Sequence, residues 1–518
     1  MKGSKDMVRN LIRNGFPFIV LMTVVACFFP QSARAVVLGE TGPAFSLTAK
    51  AGSIRTGDGD SVPMWGYAVG TKNMQYPGPT LIVNQGDTVR VTLKNQLAIP
   101  VSIVFPGMSV KIDTVNSKGG VPGLLTTEVP PDNGTSYVTY TFTAAQPGTY
   151  TYYSGTRPEL EVEMGMVGAI VVRPRGFDPS VPATPTGGRK AFNNVSTAYD
   201  REYLMLLSEI DVDQHKAVGR GELNAVDHAD RRPVTWMQNG RTMPDTVADA
   251  NVSYLPNQPY NSLPLSHPGE KVLIRFVGAG LDLHPLHTHG QNHLQIARDG
   301  RILNSTINNE LEPDLAVSDY TTTVVPGETV DAIYGIWTGG KLNWDVYGPK
   351  EGSPGYGRTL NWSQFVPLQN TIPAHTCNAP CNPLNPTPGF YPACEAACNT
   401  ANIHDTNCFD QVTFEYCPDH DKDFPLQLPT QTELTFGPFW GGTGFLGVAQ
   451  SLPPINTNDG LFHAQQNPGA GLQFMWHSHN ERELTTNNVF IGGMATMYLI
   501  LPYTDYLGNP VVIDQYKP

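Results

Sequence analysis

The chain has 518 residues, enough for two to four domains at roughly 150 residues each, and 40% of them are apolar while only 15% are charged. Gly (51) and Pro (45) make up close to a fifth of the sequence, which favours many turns and argues against helical bundles and coiled coils. With 33 basic against 46 acidic residues the net charge is −13, so no basic footprint exists to displace counterions from a phosphate backbone, and nucleic acid is excluded as a partner.

The N-terminal 35 residues read as an export signal. Lys2, Lys5, Arg9 and Arg13 precede an apolar run from Phe16 to Phe29, and Ala33-Arg34-Ala35 supplies a small-x-small cleavage pattern. The run is shorter than the ~20 residues a membrane-spanning helix needs, so no stable span is expected after cleavage. A lipoprotein box at Val24-Val25-Ala26-Cys27 is the weaker competing pattern. Loss of residues 1–35 removes five basic residues and one acidic one, taking the net charge to −17. The mature protein is expected in a periplasm or outside the cell.

Residues 36–175 contain short β-branched, period-2 runs split by turn residues: Thr80–Val83, Thr88–Leu93, Tyr137–Phe142 and Ala169–Val172. This is the pattern of a β-sandwich. A Pro/Gly/Ser/Thr-rich stretch makes 176–200 the expected linker. A second strand set follows in 201–346, with Tyr203–Ser208, Lys271–Phe276, Leu294–Ala297 and Thr321–Trp337, and resumes in 471–518 with Leu472–Trp476 and Ala495–Leu501. Between them, 347–470 is an insertion rich in Pro and Gly. It holds Cys377, Cys381, Cys394, Cys398, Cys408 and Cys417, every cysteine outside the signal. Six cysteines in an exported chain imply three disulfides. The Cys-x-x-x-Cys spacing leaves a soft-metal site as the rival. A loop of this length is also the expected docking surface for a redox or protein partner.

Two of the histidine groups carry chemistry. His284-Pro285-Leu286-His287-Thr288-His289-Gly290 and His477-Ser478-His479 each follow an expected strand. Alternate residues of a strand share a face, so His287 pairs with His289 and His477 with His479. Four imidazoles from neighbouring strands suit copper or zinc. His375, His404 and His420 in the insertion, and His215, His228, His267 and His463, lack a spacing partner and read as loop residues. Asp211 and Asp213 offer a short acidic cluster of the kind that binds Ca²⁺ or solvates a turn.

Taken together, these segments resemble the multicopper oxidases, which are built from Greek-key cupredoxin sandwiches. Tyr76-Pro77-Gly78-Pro79-Thr80, Gly86-Asp87, Pro147–Tyr150 and Gly165–Gly168 are similar to the family's first-domain segments. His284-Pro-x-His-x-His-Gly290, Val325-Pro-Gly-Glu328-x-x-Asp331 and His477-x-His479 are similar to its last domain. The resemblance implies an all-β protein of two cupredoxin-like domains, the second interrupted by the Cys-rich insertion. It also implies copper and oxidoreductase chemistry.

The departures from the family pattern are specific. Where the family has His-x-His-Gly, this chain has Val104-Phe105-Pro106-Gly107, and where it has Tyr-His-Ser-His the chain has Tyr152-Tyr153-Ser154-Gly155. Half of the ligands of the trinuclear copper cluster are thus Val, Pro, Tyr and Gly. In the blue-copper motif Ser478 replaces the cysteine and Glu483 the second histidine, which leaves His284 and Met494 as the matching positions. The expected metal set is His287, His289, His477 and His479, with His284 and His293 as further candidates, holding one copper or zinc ion. His284 and Glu483 can alternatively pair with one another. An exported copper protein with a reduced, His-only site is the leading expectation, and a copper-free scaffold of the same superfamily is the alternative. Two-cupredoxin relatives often assemble as trimers, so a homo-oligomer fits the resemblance.

Overall fold

The computed structural model describes residues 37–223, 226–266, 270–289, 292–308, 310–334, 472–501 and 513. The expected signal (1–35), the insertion (347–470) with its cysteines, and His267, His375, His404, His420 and His463 lie outside the described residues.

The first sandwich is formed by β1 (Ala44–Arg55), β2 (Ser61–Val69), β3 (Leu81–Asn84), β4 (Thr88–Asn95), β5 (Tyr137–Thr143), β6 (Gly148–Tyr153) and β7 (Val167–Arg173). One sheet runs β2-β1-β4-β5, and the other has β7 between β3 and β6. β1 pairs parallel with β4 and antiparallel with β2, so consecutive strands are not simply laid side by side as in a meander. The apolar positions of the two sheets face each other: Leu47, Val89, Val91, Leu93, Tyr140 and Phe142 meet Leu81, Val83, Tyr152, Ile170 and Val172.

A second sandwich takes β8 (Arg201–Ile210), β9 (Thr235–Gln238), β10 (Val272–Gly278), β11 (His284–Thr288), β12 (His293–Arg298), β13 (Thr321–Val324), β14 (Thr329–Tyr334), β15 (Leu472–Ser478) and β16 (Ala495–Ile500). One sheet orders β12-β14-β10-β8-β9 and the other β16-β15-β11-β13. The described residues thus form two cupredoxin-like β-sandwiches with very little helix. The two short α-helices used below are α1 (Pro158–Glu161) and α2 (Val212–Gly219).

β7 and β8 are buried on both faces, so each has apolar residues at consecutive positions, Ala169–Val172 and Tyr203–Leu207. Ile170 and Val172 point into the first core, while Val167, Ala169 and Val171 meet Leu204, Leu206 and Ile210 of β8 between the sandwiches. Tyr203, Met205 and Leu207 then point into the second core. A buried ionic chain crosses the same junction. Arg173 of β7 contacts Glu202 of β8 at 2.5 Å, Glu202 contacts Arg275 of β10 at 2.6 Å, and Arg275 contacts Asp331 of β14 at 3.0 Å. Asp331 accepts a hydrogen bond from Thr149 of β6 at 2.5 Å, which closes the link back to the first sandwich.

The segment 176–200 is more than a tether. Ala191, Phe192 and Tyr199 are buried against Leu273, Ile296, Ala297, Ile302 and Ile333 of the second sandwich. Asp211 and His215 also differ from their sequence reading. Asp211 caps α2, accepting from the backbone N–H of Asp213 and Gln214, so its carboxylate serves the helix start. His215 lies on that helix, fully buried, with ring nitrogens 2.6 Å from the Pro63 carbonyl and 2.9 Å from the Glu163 carbonyl.

Candidate metal centre

β11 lies between β13 and β15, with His287 opposite both Thr321 and His477. Strand alternation divides the motif residues between two faces. His284, Leu286 and Thr288 are buried on one face, and His287 and His289 share the other. On β15, Trp476 belongs to the second core while His477 meets His287 and His289.

Ligand atoms of His287, His289 and His477 all lie within 4.8 Å of one another, a grouping that sequence spacing alone had brought only to the same face. Nε2 of His477 is 3.2 Å from Nε2 of His289. His479 stands at the exposed edge, its ring centroid 4.8 Å from that of His287 and 5.7 Å from that of His477. Outer contacts orient two of the rings. His477 donates Nδ1–H to the Ser478 carbonyl at 2.7 Å, which can only accept, so its Nε2 faces the group. Nδ1 of His287 bonds the Thr321 hydroxyl at 2.9 Å, and the Tyr320 ring stands edge-on to His287. Burial and the neighbouring imidazoles push His287 down to about 4 and His289 to about 3, and lower His477 as well, so all three are neutral at pH 7.

These residues fit a copper or zinc ion. Metal–imidazole bonds are ~2.0–2.1 Å, which puts nitrogens around a shared ion roughly 3.3 Å apart, so the widest pair here needs up to about 1.5 Å of side-chain closure. The donor set, neutral imidazole nitrogen, is the one both ions prefer.

His284 and His293 are not brought to this group. His284 sits on the core face of β11, three residues from His287, an odd spacing that sends it the other way. Its Nδ1 is 3.0 Å from Glu483 and its Nε2 2.8 Å from Glu209, so carboxylates take both nitrogens. Burial opposes the charged ring, but the hydrogen bonds to Glu209 and Glu483 prevail and hold it up at about 9. Ser478 donates to the same Glu483 oxygen at 2.6 Å, and Asn480 to the other at 3.0 Å. Arg231 contacts Glu209 and, at 2.6 Å, Glu163. His293 is held between the Thr288 and Thr322 hydroxyls at 3.0 and 2.5 Å. Met494 is buried in the second core.

The residues at the blue-copper position therefore do not fit that centre: their polar atoms satisfy one another, and the thiolate is absent. Ser478→Cys alone is expected to give no intense blue absorption on copper loading, because Glu483 and Glu209 still clamp His284. Visible spectroscopy of the loaded variant checks this. The first-domain positions are likewise closed. Val104 and Tyr153 form a backbone bridge, with Val104 N–H 2.8 Å from the Tyr153 carbonyl. A Cβ at Gly155 would fall 2.6 Å from Cγ1 of Val104, so a histidine there requires Val104 to move. Pro106, Tyr150 and Tyr153 instead line a cleft of about 460 Å³ facing Val325–Thr329.

Sequence reasoning missed Glu209, Arg231 and Thr321. Glu209 begins the acidic cluster Glu209–Asp213, but nothing local pairs it with a histidine 75 positions later.

A sandwich pair with these histidine motifs on adjacent strands defines the class as cupredoxin-fold. Residues 58–176 match the family description "Multicopper oxidase". Copper resistance protein A of Escherichia coli is 29% identical over 262 residues, covering 45% of this chain and 39% of that protein. Laccase 1 of Metarhizium robertsii is 34% identical over 137 residues, covering 26% of this chain and 21% of that protein. Among solved structures, the blue copper oxidase from Nitrosomonas europaea aligns over 89% of this chain and 86% of its own, with a TM-score of 0.45 and 15% identity. Residues 58–176 are thus similar to a multicopper oxidase domain, and the described residues have the cupredoxin-like fold. The chain spans two fifths or less of the length of the curated relatives it matches. No helix among the described residues is long and apolar enough to cross a membrane.

Proposed function

We propose that this is an exported copper protein with one mononuclear site, held by His287, His289 and His477 with His479 at its solvent edge, that exchanges single electrons. The observation that carries the reading is the convergence of three imidazoles within 4.8 Å on adjacent strands. The described chain has no histidine at the first-domain motif positions, and the blue-copper position is filled by an ionic triad. Four-electron reduction of oxygen needs a multinuclear cluster with its electron donor, so the activity supported here is one-electron redox chemistry or copper holding.

Metal analysis after copper loading tests it. The wild type is expected to retain ~1 copper per chain with an EPR spectrum of the non-blue kind, copper in nitrogen coordination without a thiolate. His287→Ala combined with His477→Ala is expected to lose the ion while the fold, followed by circular dichroism, persists. Retention of zinc in preference to copper would change the metal and keep the site. A wild type that holds no metal would overturn the proposal and leave the copper-free scaffold.

A further inference from the structure

The core face of β15 carries a second group beside the imidazoles. Trp476, Tyr334 and Tyr498 form a closed triangle of buried rings, with centroids 4.9 Å apart for Tyr334–Trp476, 5.0 Å for Trp476–Tyr498 and 4.8 Å for Tyr334–Tyr498. Each is at most 1% exposed. The triangle is joined to the histidines in two ways. Trp476 precedes His477 directly in the strand, and Nε1–H of Trp476 (3.3 Å) and the Tyr334 hydroxyl (2.6 Å) both donate to the carbonyl oxygen of His289.

Aromatic rings in van der Waals contact normally add packing energy, and that would be a sufficient role in an interior strand. Here they also abut a site that, with one ion, can give only one electron. We infer that Trp476, supported by Tyr334 and Tyr498, is a built-in one-electron donor to the histidine site, enabling two-electron reduction of a peroxide there. This rests on the copper site proposed above.

The balance is complete with hydrogen peroxide as the oxidant. Its O–O bond breaks and two waters form, which takes two electrons and two protons. A copper(I) ion held by His287, His289 and His477 would supply one electron, the indole of Trp476 supplies the other, and the protons come from solvent at the exposed His479 edge. Trp476 is left as a radical cation with its N–H bond intact. An ascorbate-type reductant returns both electrons.

The geometry also selects which ring is oxidised. The Tyr498 hydroxyl bonds that of Ser266, a group too weakly basic to take up the proton that a phenol releases on oxidation. An indole can lose an electron without losing a proton. Its Nε1–H points at a carbonyl oxygen, and the Tyr498 ring stacks on its face, so both contacts favour positive charge on Trp476.

The experiment uses the full chain loaded with Cu(I), mixed with one equivalent of hydrogen peroxide, frozen within milliseconds and read by EPR, with copper per chain measured on the same sample. A tryptophan radical, identified by ring-deuterated tryptophan, is expected in the wild type and lost in Trp476→Phe at unchanged copper content. Peptide mapping of the wild type is the second measurement, should that variant fail to fold. Fully buried Trp476 should be oxidised ahead of the more exposed, partly buried Trp65, the reverse of attack from solvent, and not in the copper-free control. Copper bound without a radical, a radical that survives in Trp476→Phe, or oxidation that follows exposure would overturn this inference alone. Failure to bind copper would overturn the site reading, and this one with it.

Discussion

Glu202→Gln is expected to lower the unfolding free energy by about 3–5 kcal/mol, the range for removing one partner of a buried ion pair. Glu202 is completely buried and lies between the guanidinium groups of Arg173 and Arg275. Burial alone would push its carboxyl up, but the two arginines overcome that and hold it down at about 2. With the charge gone, two buried cations would share only Asp331, which touches Arg275 and not Arg173. Nε and Nη2 of Arg173 already lack hydrogen-bond partners, so that side chain has little reserve. The depressed value also fixes the pH window. The stabilisation from Glu202 is present above the ordinary carboxylate range and is lost only as pH falls towards 2. Urea unfolding followed by tryptophan fluorescence should show the loss at pH 7 and a shallower acid limb in the variant. A change below about 1 kcal/mol would mean that the chain of charges contributes specificity rather than stability.

Much of this architecture is legible in the sequence because a strand's period is 2 and a one-residue offset reverses the face. Thr88–Leu93, Tyr137–Phe142 and Lys271–Phe276 alternate or run apolar where the structure has β4, β5 and β10. The same parity separates His284 from His287 and His289, and applying it to His284 would have removed that residue from the ligand set. Other features depend on distance in the chain. The segment 176–200 has too few apolar residues, in no period, to show that Phe192 and Tyr199 cover the outer face of the second sandwich's sheet, opposite its core. The signal for α2 is present in Asp211, a capping residue, but the run of eight that ends at Gly219 is too short to separate from a turn. Glu209 and Arg231 were out of reach, since a partner for a buried imidazole can come from any neighbouring strand.

Replacement of the blue-copper ligands has a physical logic that the His284 triad makes testable. A copper ion at that position would bring positive charge into a dry interior. In this chain the charge is a proton on His284, set between Glu209 and Glu483, with Ser478 donating to the latter. The raised imidazole value of about 9 has a definite consequence for stability. Its contribution is fully present below the ordinary histidine value near 6.5 and is lost as pH rises through about 9. The ceiling is about 3 kcal/mol, from roughly 1.4 kcal/mol per pH unit. The wild type should therefore lose stability steadily from neutrality to pH 9 and then level off. Glu483→Gln keeps the shape and an accepting oxygen but removes one negative charge. It should cost about 1–3 kcal/mol at pH 6.5, flatten the decline, and approach the wild type above pH 9. Copper content should not change, because His284 faces away from His287, His289 and His477. Melting temperature against pH, with metal analysis of both proteins, reads each part. A wild-type profile already flat between pH 6.5 and 9 would show that the imidazole is neutral, and a loss of copper in the variant would return His284 to the metal site.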